Sequence, residues 1–141
     1  MGLRYHPQPG TVVCVDFSRG FVPPEMVKTR LCIVLSKPIQ ARPHLCTVVP
    51  LSTTAPQQAM PYHCEIDIPF DLPPRWTRQT RWLKGDMIYS VSFDRTDLLR
   101  LGKDSDGKRR YQKETLSPDT LRQVRRCVLH GLGLSELTRQ L

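Results

Sequence analysis

The sequence predicts an α+β fold that is mostly β, with one helix at its C-terminal end, and three observations carry that reading. Twelve of the 13 prolines fall before residue 75. Proline removes a backbone donor and clashes inside helices, so this half must be built of short strands and loops. Within it lie runs rich in β-branched residues, bounded by Pro, Gly or Ser. The third observation is Ser117-Pro118-Asp119, a helix-opening signature with Ser as N-cap, Pro at the first helical position and an acid beside the positive dipole end.

The strands are placed as follows. Thr11–Phe17, Leu31–Leu35 and Leu45–Val49 are nearly continuous apolar runs. Such runs are buried on both faces, as in a small barrel or a sheet sandwiched by other elements. His63–Ile68 alternates polar and apolar, as a strand with one exposed face should. Met87–Phe93 is a further strand, followed by a short one at Leu98–Leu101. Gly102–Arg110 is polar and turn-rich, a loop or hairpin tip. Beyond Ser117, Leu121, Val124 and Val128 recur at helical spacing, with Arg122, Arg125 and Arg126 on the other side. Gly131 is read as the stop, and Ser135–Leu141 as one or two further helical turns.

The length of 141 residues fits one domain, 1–141, with its core at about 9–133, and suffices for a packed core without disulfides or metal. No run of 18 apolar residues is present and the N-terminal stretch lacks an apolar h-region, so a soluble, cytoplasmic protein without membrane contact is expected. Lys plus Arg number 21 against 13 Asp plus Glu, a net charge of +8. That surplus attracts polyanions, which makes nucleic acid or an acidic protein the natural partner. The five cysteines, at 14, 32, 46, 64 and 127, are odd in number and include no Cys-x-x-Cys pair, so neither a disulfide framework nor a zinc site is suggested. Cys14, Cys32 and Cys46 read as small core residues. No cofactor or metal is expected.

Three blocks in series resemble the PemK/MazF toxin family. Pro9-Gly10-Thr11-Val12-Val13-Cys14-Val15-Asp16-Phe17 is similar to its opening Gly-x-apolar-x-Val-Asp-Phe strand. Glu25 to Ser36 is similar to its Glu-x4-Arg-Pro followed by an apolar strand, with Leu31 in place of the proline. Val49-Pro50-Leu51-Ser52-Thr53-Thr54 is similar to its Val-Pro-x-Thr-Ser/Thr block. The resemblance implies a small SH3-like barrel of the PemK/MazF/CcdB type with a C-terminal helix, and a homodimer. It further implies the toxin of a type II toxin–antitoxin system acting as a metal-independent endoribonuclease on single-stranded RNA (an mRNA interferase). A cognate antitoxin would neutralise it, and DNA would be a partner through the antitoxin complex.

Metal-free RNA cleavage needs a base near the ribose 2′-OH, donors on the phosphorane oxygens and help for the leaving oxygen. The candidate catalytic residues are Arg30, Ser52, Thr53, Lys84 and Asp86. Arg30, matched to the family arginine, offers a guanidinium fork for two phosphate oxygens; the alternative is a solvated strand-end arginine. Ser52 or Thr53 could donate to phosphate or merely hold a turn. Lys84-Gly85-Asp86 is similar in position and spacing to the Arg-x-Asp of the PemK branch. If extended, it turns Lys84 and Asp86 to one face, with Asp86 as base and Lys84 as phosphate ligand or proton donor. The alternative is a turn carrying a surface ion pair.

Arg75, Arg78, Arg81 and Lys84 recur every third residue with Trp76 and Trp82 among them. They are either a phosphate-tracking and base-stacking strip, with Arg75, Arg78, Arg81 and Trp82 on RNA, or one solvated helical face. Lys108, Arg109 and Arg110 form a second basic patch suited to sequence-independent RNA contact. The histidine that some family members carry between the first strand and the arginine is missing, and His63 is a substitute for it. Two rival readings stand beside the ribonuclease: a non-catalytic nucleic-acid or protein-binding module, and a gyrase-poison-like toxin.

Overall fold

A computed structural model describes residues 2–141. The elements run β1 (Val12–Asp16), β2 (Thr29–Val34), β3 (Leu45–Ser52), β4 (His63–Asp67), β5 (Thr80–Lys84), β6 (Tyr89–Ser92), β7 (Thr96–Leu98), β8 (Arg100–Lys103), β9 (Arg109–Tyr111) and α1 (Pro118–Gly131). Short 3-10 helices lie at Phe93–Arg95 and Ser135–Gln140. Seven strands form one sheet in the order β4-β5-β3-β2-β1-β7, with β6 also paired to β3, and β8–β9 is a separate hairpin. Every strand pairing is antiparallel. The path from β4 to β7 does not close by hydrogen bonds among the described residues, so the fold is an open version of the expected barrel. No described helix is long and apolar enough to cross a membrane.

The apolar runs at β1, β2 and β3 are buried on both faces, as their composition requires. One face gives Val12, Leu31, Ile33, Val49 and Leu51 to a core shared with Ile66, Leu83 and the helix residues Val124, Cys127 and Val128. The other gives Val13, Val15, Cys32, Val34 and Val48 to a second core with Phe17, Val91 and Phe93. β4 keeps its alternation, with Ile66 buried and Glu65 and Asp67 exposed. Helix α1 opens as read: the Thr120 N–H donates to Ser117 Oγ at 3.1 Å, and Arg122 pairs with Asp119 at 2.8 Å.

Four details differ from the sequence reading. Thr80–Lys84 is a strand, so the three-residue recurrence of cations there does not mark a helix. The run at Met87–Phe93 becomes a strand only at Tyr89, because Gly85 to Ile88 turn, with the Met87 N–H donating to the Lys84 carbonyl at 3.0 Å. β5 and β6 therefore flank β3 as one interrupted strand, and the interruption falls beside Val49 and Pro50, where proline has no N–H to offer. Leu98–Leu101 is divided between β7 and β8 at Leu99, which turns into the core at 2% exposure. Gly131 is the last helical residue and not the stop. The left-handed residue that ends the helix is Gly133 (φ +73), whose N–H reaches the His130 carbonyl.

Gly131 has another task. A Cβ there would lie 2.5 Å from the Gly85 carbonyl oxygen, and one on Gly85 would lie 2.6 Å from the Tyr62 carbonyl and 2.8 Å from that of Cys127. Two missing side chains thus let α1 seat directly on the turn between β5 and β6. Gly131→Ala is expected to destabilise the protein by about 1–3 kcal/mol through overpacking at this backbone contact, measured as a lowered midpoint in urea unfolding.

Candidate nucleic-acid interface

Arg30 stands where two-sided burial of β2 begins. It pairs with Val15 across β1, and the next residue, Leu31, is fully buried. The loop before it is held by aromatic packing: the Phe17, Phe21 and Tyr89 rings lie 4.9–5.6 Å apart, and the Met26 N–H donates to the Tyr89 hydroxyl at 2.9 Å. Its side chain reaches a hollow of about 480 Å³ lined by Thr29, Arg30, Thr53, Thr54, Arg75, Trp76, Thr77, Arg78 and Arg81. The lining contains four guanidiniums and no carboxylate.

The segment after β4 supplies three of these arginines, and two glutamines fasten it. Gln79 donates to the carbonyls of Ile68 and Phe70 at 2.7 and 2.9 Å, and Gln112 donates to that of Asp71 at 2.8 Å. Phe70 and Trp76 pack on the core beneath. The Arg75 and Arg81 guanidiniums lie 4.9 and 5.6 Å from the Trp76 ring centre, so this indole is occupied in holding cations. Arg81 is 5% exposed and its Nε donates to the Arg78 carbonyl at 2.9 Å. Burial, and then the charges of Arg78 and Arg30, lower its pKa from the usual arginine value. Arg30 Nε is buried without a hydrogen-bond partner among the described residues.

A second hollow, of about 330 Å³, adjoins the first through Thr53 and Arg78 and adds Glu65, Gln79, Thr80 and Trp82. The tryptophan available beside the groove is therefore Trp82, opposite Ser52 on β3 and Glu65 on β4. Of the two hydroxyl candidates, Thr53 lines both hollows. Ser52 is 8% exposed, and its Oγ accepts the Thr54 N–H at 3.1 Å, which holds the turn.

Lys84 and Asp86 line neither hollow. β5 ends at Lys84, and Gly85 and Asp86 lie in the turn, so the pair is not extended as the sequence reading assumed. They form a separate cluster with His63, which pairs with Lys84 across β4–β5. Burial lowers the Lys84 pKa below its usual value, and the Asp86 carboxylate partly offsets this. Burial first, and the Lys84 charge second, lower the pKa of His63. His63 Nδ1 accepts the Met60 N–H at 3.2 Å, so the neutral ring carries its proton on Nε2 and presents a donor. The basic patch of Lys108, Arg109 and Arg110 is exposed on the β8–β9 hairpin, where Arg109 lines a different hollow with Tyr5, Leu98 and Tyr111.

The family description "PemK-like, MazF-like toxin of type II toxin-antitoxin system" matches residues 8–132. The chain belongs to the PemK/MazF family. Its relatives include the uncharacterised protein YifN of Escherichia coli strain K12, 32% identical over 160 residues that span 97% of this chain and 99% of YifN. An uncharacterised protein of Haemophilus influenzae is 30% identical over 149 residues, covering 97% and 98%. Two solved structures share the fold. An endoribonuclease from a mycobacterial species, in complex with its cognate antitoxin, superposes with a TM-score of 0.60 at 18% identity, covering 92% of this chain and 97% of that one. MazF from Deinococcus radiodurans gives 0.59 at 20%, covering 92% and 98%.

Within this PemK/MazF member, sequence reasoning overlooked Glu65 as a carboxylate beside the groove. Its signal was the His63–Ile68 alternation, which already put residues 63, 65 and 67 on the exposed face. The two hydroxyls separate by stability. Ser52→Ala should cost about 1 kcal/mol in chemical denaturation through the unmet Thr54 amide, whereas Thr53→Ala should stay within about 0.5 kcal/mol of the parent.

Proposed function

We propose that this PemK/MazF member is a metal-independent endoribonuclease that cuts single-stranded RNA and is neutralised by a cognate antitoxin. The observation that carries the reading is the Arg30 hollow: a preorganised cluster of guanidiniums and hydroxyls, on a fold shared with endoribonucleases, in a chain of net charge +8. Such a cluster is aimed at charge that accumulates on phosphorane oxygens. The paired antitoxin of the mycobacterial endoribonuclease and the MazE–MazF complex from Deinococcus radiodurans support the antitoxin partner. A homodimer, and DNA contact through the antitoxin complex, complete the proposal.

The chemistry divides between two places. In the hollow, Arg30 and Thr53 hold phosphate oxygens while Arg75, Arg78 and Arg81 fix the strand, and in the adjoining hollow Trp82 stacks on a base. That hollow holds no group able to take a proton at neutral pH. The base therefore comes from the neighbouring carboxylates: Asp86 beside His63 and Lys84, reached by RNA continuing along β5 or supplied by a second protomer, with Glu65 as the alternative within the adjoining hollow. Asp86 accepts the 2′-OH proton, and the Lys84 ammonium, with the His63 Nε2–H, donates to the phosphate or the leaving oxygen. Ser52 keeps the turn in which Thr53 is presented.

Incubation with single-stranded RNA in excess chelator is expected to give internal cleavage, and Arg30→Ala and Asp86→Ala are each expected to slow it by about 100-fold or more. Full activity in both variants, or binding without cutting by the parent, overturns the assignment. Loss in Glu65→Gln with Asp86→Ala unaffected moves the base to Glu65. The pH profile tests Lys84 separately. Because its pKa is lowered, the protonated donor is lost as pH rises, so the rate should fall on the alkaline side before the usual lysine value of 10.5. Lys84→Arg should extend the plateau to higher pH, since a guanidinium keeps its proton.

A further inference from the structure

The charge in the Arg30 hollow exceeds what one phosphodiester can balance. Arg30, Arg75, Arg78 and Arg81 all line it. None has an ion-pair partner among the described residues. Four positive charges thus converge on about 480 Å³ with no compensating carboxylate in the lining. A backbone diester brings one negative charge, whereas a terminal phosphate brings about −1.5 to −2, and linked phosphates bring more in little additional space. The donor inventory agrees. Arg81 uses only its Nε internally, on the Arg78 carbonyl, which leaves both terminal nitrogens for a ligand. Arg30 keeps a buried Nε with no partner, a group whose desolvation a bound oxygen would relieve. Thr53 and Thr77 add hydroxyls at the rim. The arrangement is also rigid, since Trp76 braces two of the guanidiniums and Gln79 and Gln112 fasten the loop that bears Arg75 and Arg78.

We infer that this hollow is a polyphosphate pocket, taking a run of linked phosphates such as the 5′-triphosphate of an RNA or the phosphate chain of a free nucleoside triphosphate. Where the ligand is an RNA end, the inference rests on the ribonuclease reading and adds to it. The triphosphate would then lie on Arg75, Arg78 and Arg81, leaving Arg30 and Thr53 to the scissile diester, so that the enzyme cuts at a short fixed reach from a triphosphorylated 5′ end. In both cases the recognised chemistry is the same: a compact polyanion gripped by guanidinium forks, with no metal needed to neutralise it.

The test measures binding of one RNA sequence with a 5′-hydroxyl, a 5′-monophosphate or a 5′-triphosphate at about 0.15 M salt, where non-specific attraction is screened. Inorganic tripolyphosphate and GTP serve as competitors, and cleavage of the same RNAs is followed in parallel. The triphosphorylated RNA is expected to bind at least about tenfold tighter than the hydroxyl form, the scale of one charge-assisted hydrogen bond. Tripolyphosphate should compete and should raise the melting temperature. Arg75→Ala/Arg78→Ala, which changes two exposed side chains and no core residue, should bring the ratio to within twofold. Lys108→Ala/Arg109→Ala removes as much charge from outside the hollow, and should weaken all three RNAs alike while keeping the ratio. Competition by GTP at the concentration effective for the triphosphorylated RNA assigns the pocket to free nucleotides. Competition only by RNA ends assigns it to those. Equal binding of the three RNAs with no competition by tripolyphosphate overturns the inference. Cleavage without end discrimination removes the pocket and leaves the ribonuclease, whereas end discrimination without cleavage does the reverse.

Discussion

The structure depends on two-sided burial of the β2–β3 pair. Leu31 to Val34 are all fully buried, and alternate residues serve different cores. Each such side chain contributes about 1.5–3 kcal/mol of burial, so the pair anchors both halves of the molecule at once. A strand apolar on both faces has a weakness, however. Its alternation does not penalise a one-residue slip, because either register buries the same kinds of atoms. Polar groups at the ends supply what the apolar pattern lacks. Arg30 must reach solvent at one end. Beyond the other, the Thr47 N–H donates to Ser36 Oγ at 3.0 Å. Pro50 fixes where the neighbouring strand is interrupted. Arg30, the residue proposed to bind phosphate, thus sits where the register of the central pair is pinned.

That coupling explains which parts of the site were legible in the sequence. Arg30 was readable because it stands just before a long apolar run in a block that resembles the family's, and Thr53, with Ser52, because it follows such a run in another such block. The helix start was readable because its cap, proline and acid are local chemistry. The convergence of Arg75, Arg78 and Arg81 was not, since it depends on a loop folding back under Gln79 and Gln112, whose partners are up to 41 residues away. A period of three suggested a helical face, yet the backbone there is a loop entering a strand, and Lys84, at the same interval, leaves the cluster.

Gly85 and Gly131 show a different limit. Gly131 read as a helix stop, and Gly85 as a spacer in an extended segment or, alternatively, as part of a turn. The sequence signal for a glycine that permits backbone to touch backbone is the same as for one that merely turns. Here the contact brings the carbonyl of Gly85 against α1, so the placement of Lys84 and Asp86 is tied to the seating of the helix. The site's titratable cluster is therefore supported from behind by the one long helix, while its cationic hollow is supported by the loop.

The hollow itself works against folding. Bringing four guanidiniums together without an acid raises the energy of the native state, and the Arg78 and Arg30 charges add to burial, the larger cause, in lowering the pKa of Arg81. Carboxylates were available nearby, since Glu65 lines the adjoining hollow and Asp67 lies two residues further along β4. Asp67 instead accepts the Thr80 hydroxyl on the exposed face of the sheet. An acid placed among the arginines would stabilise the empty protein, but a phosphate would then have to displace it. On the proposed reading, keeping the acids one step away leaves the cations unsatisfied until an anion arrives, so that the fold's electrostatic strain is released by binding and not by folding.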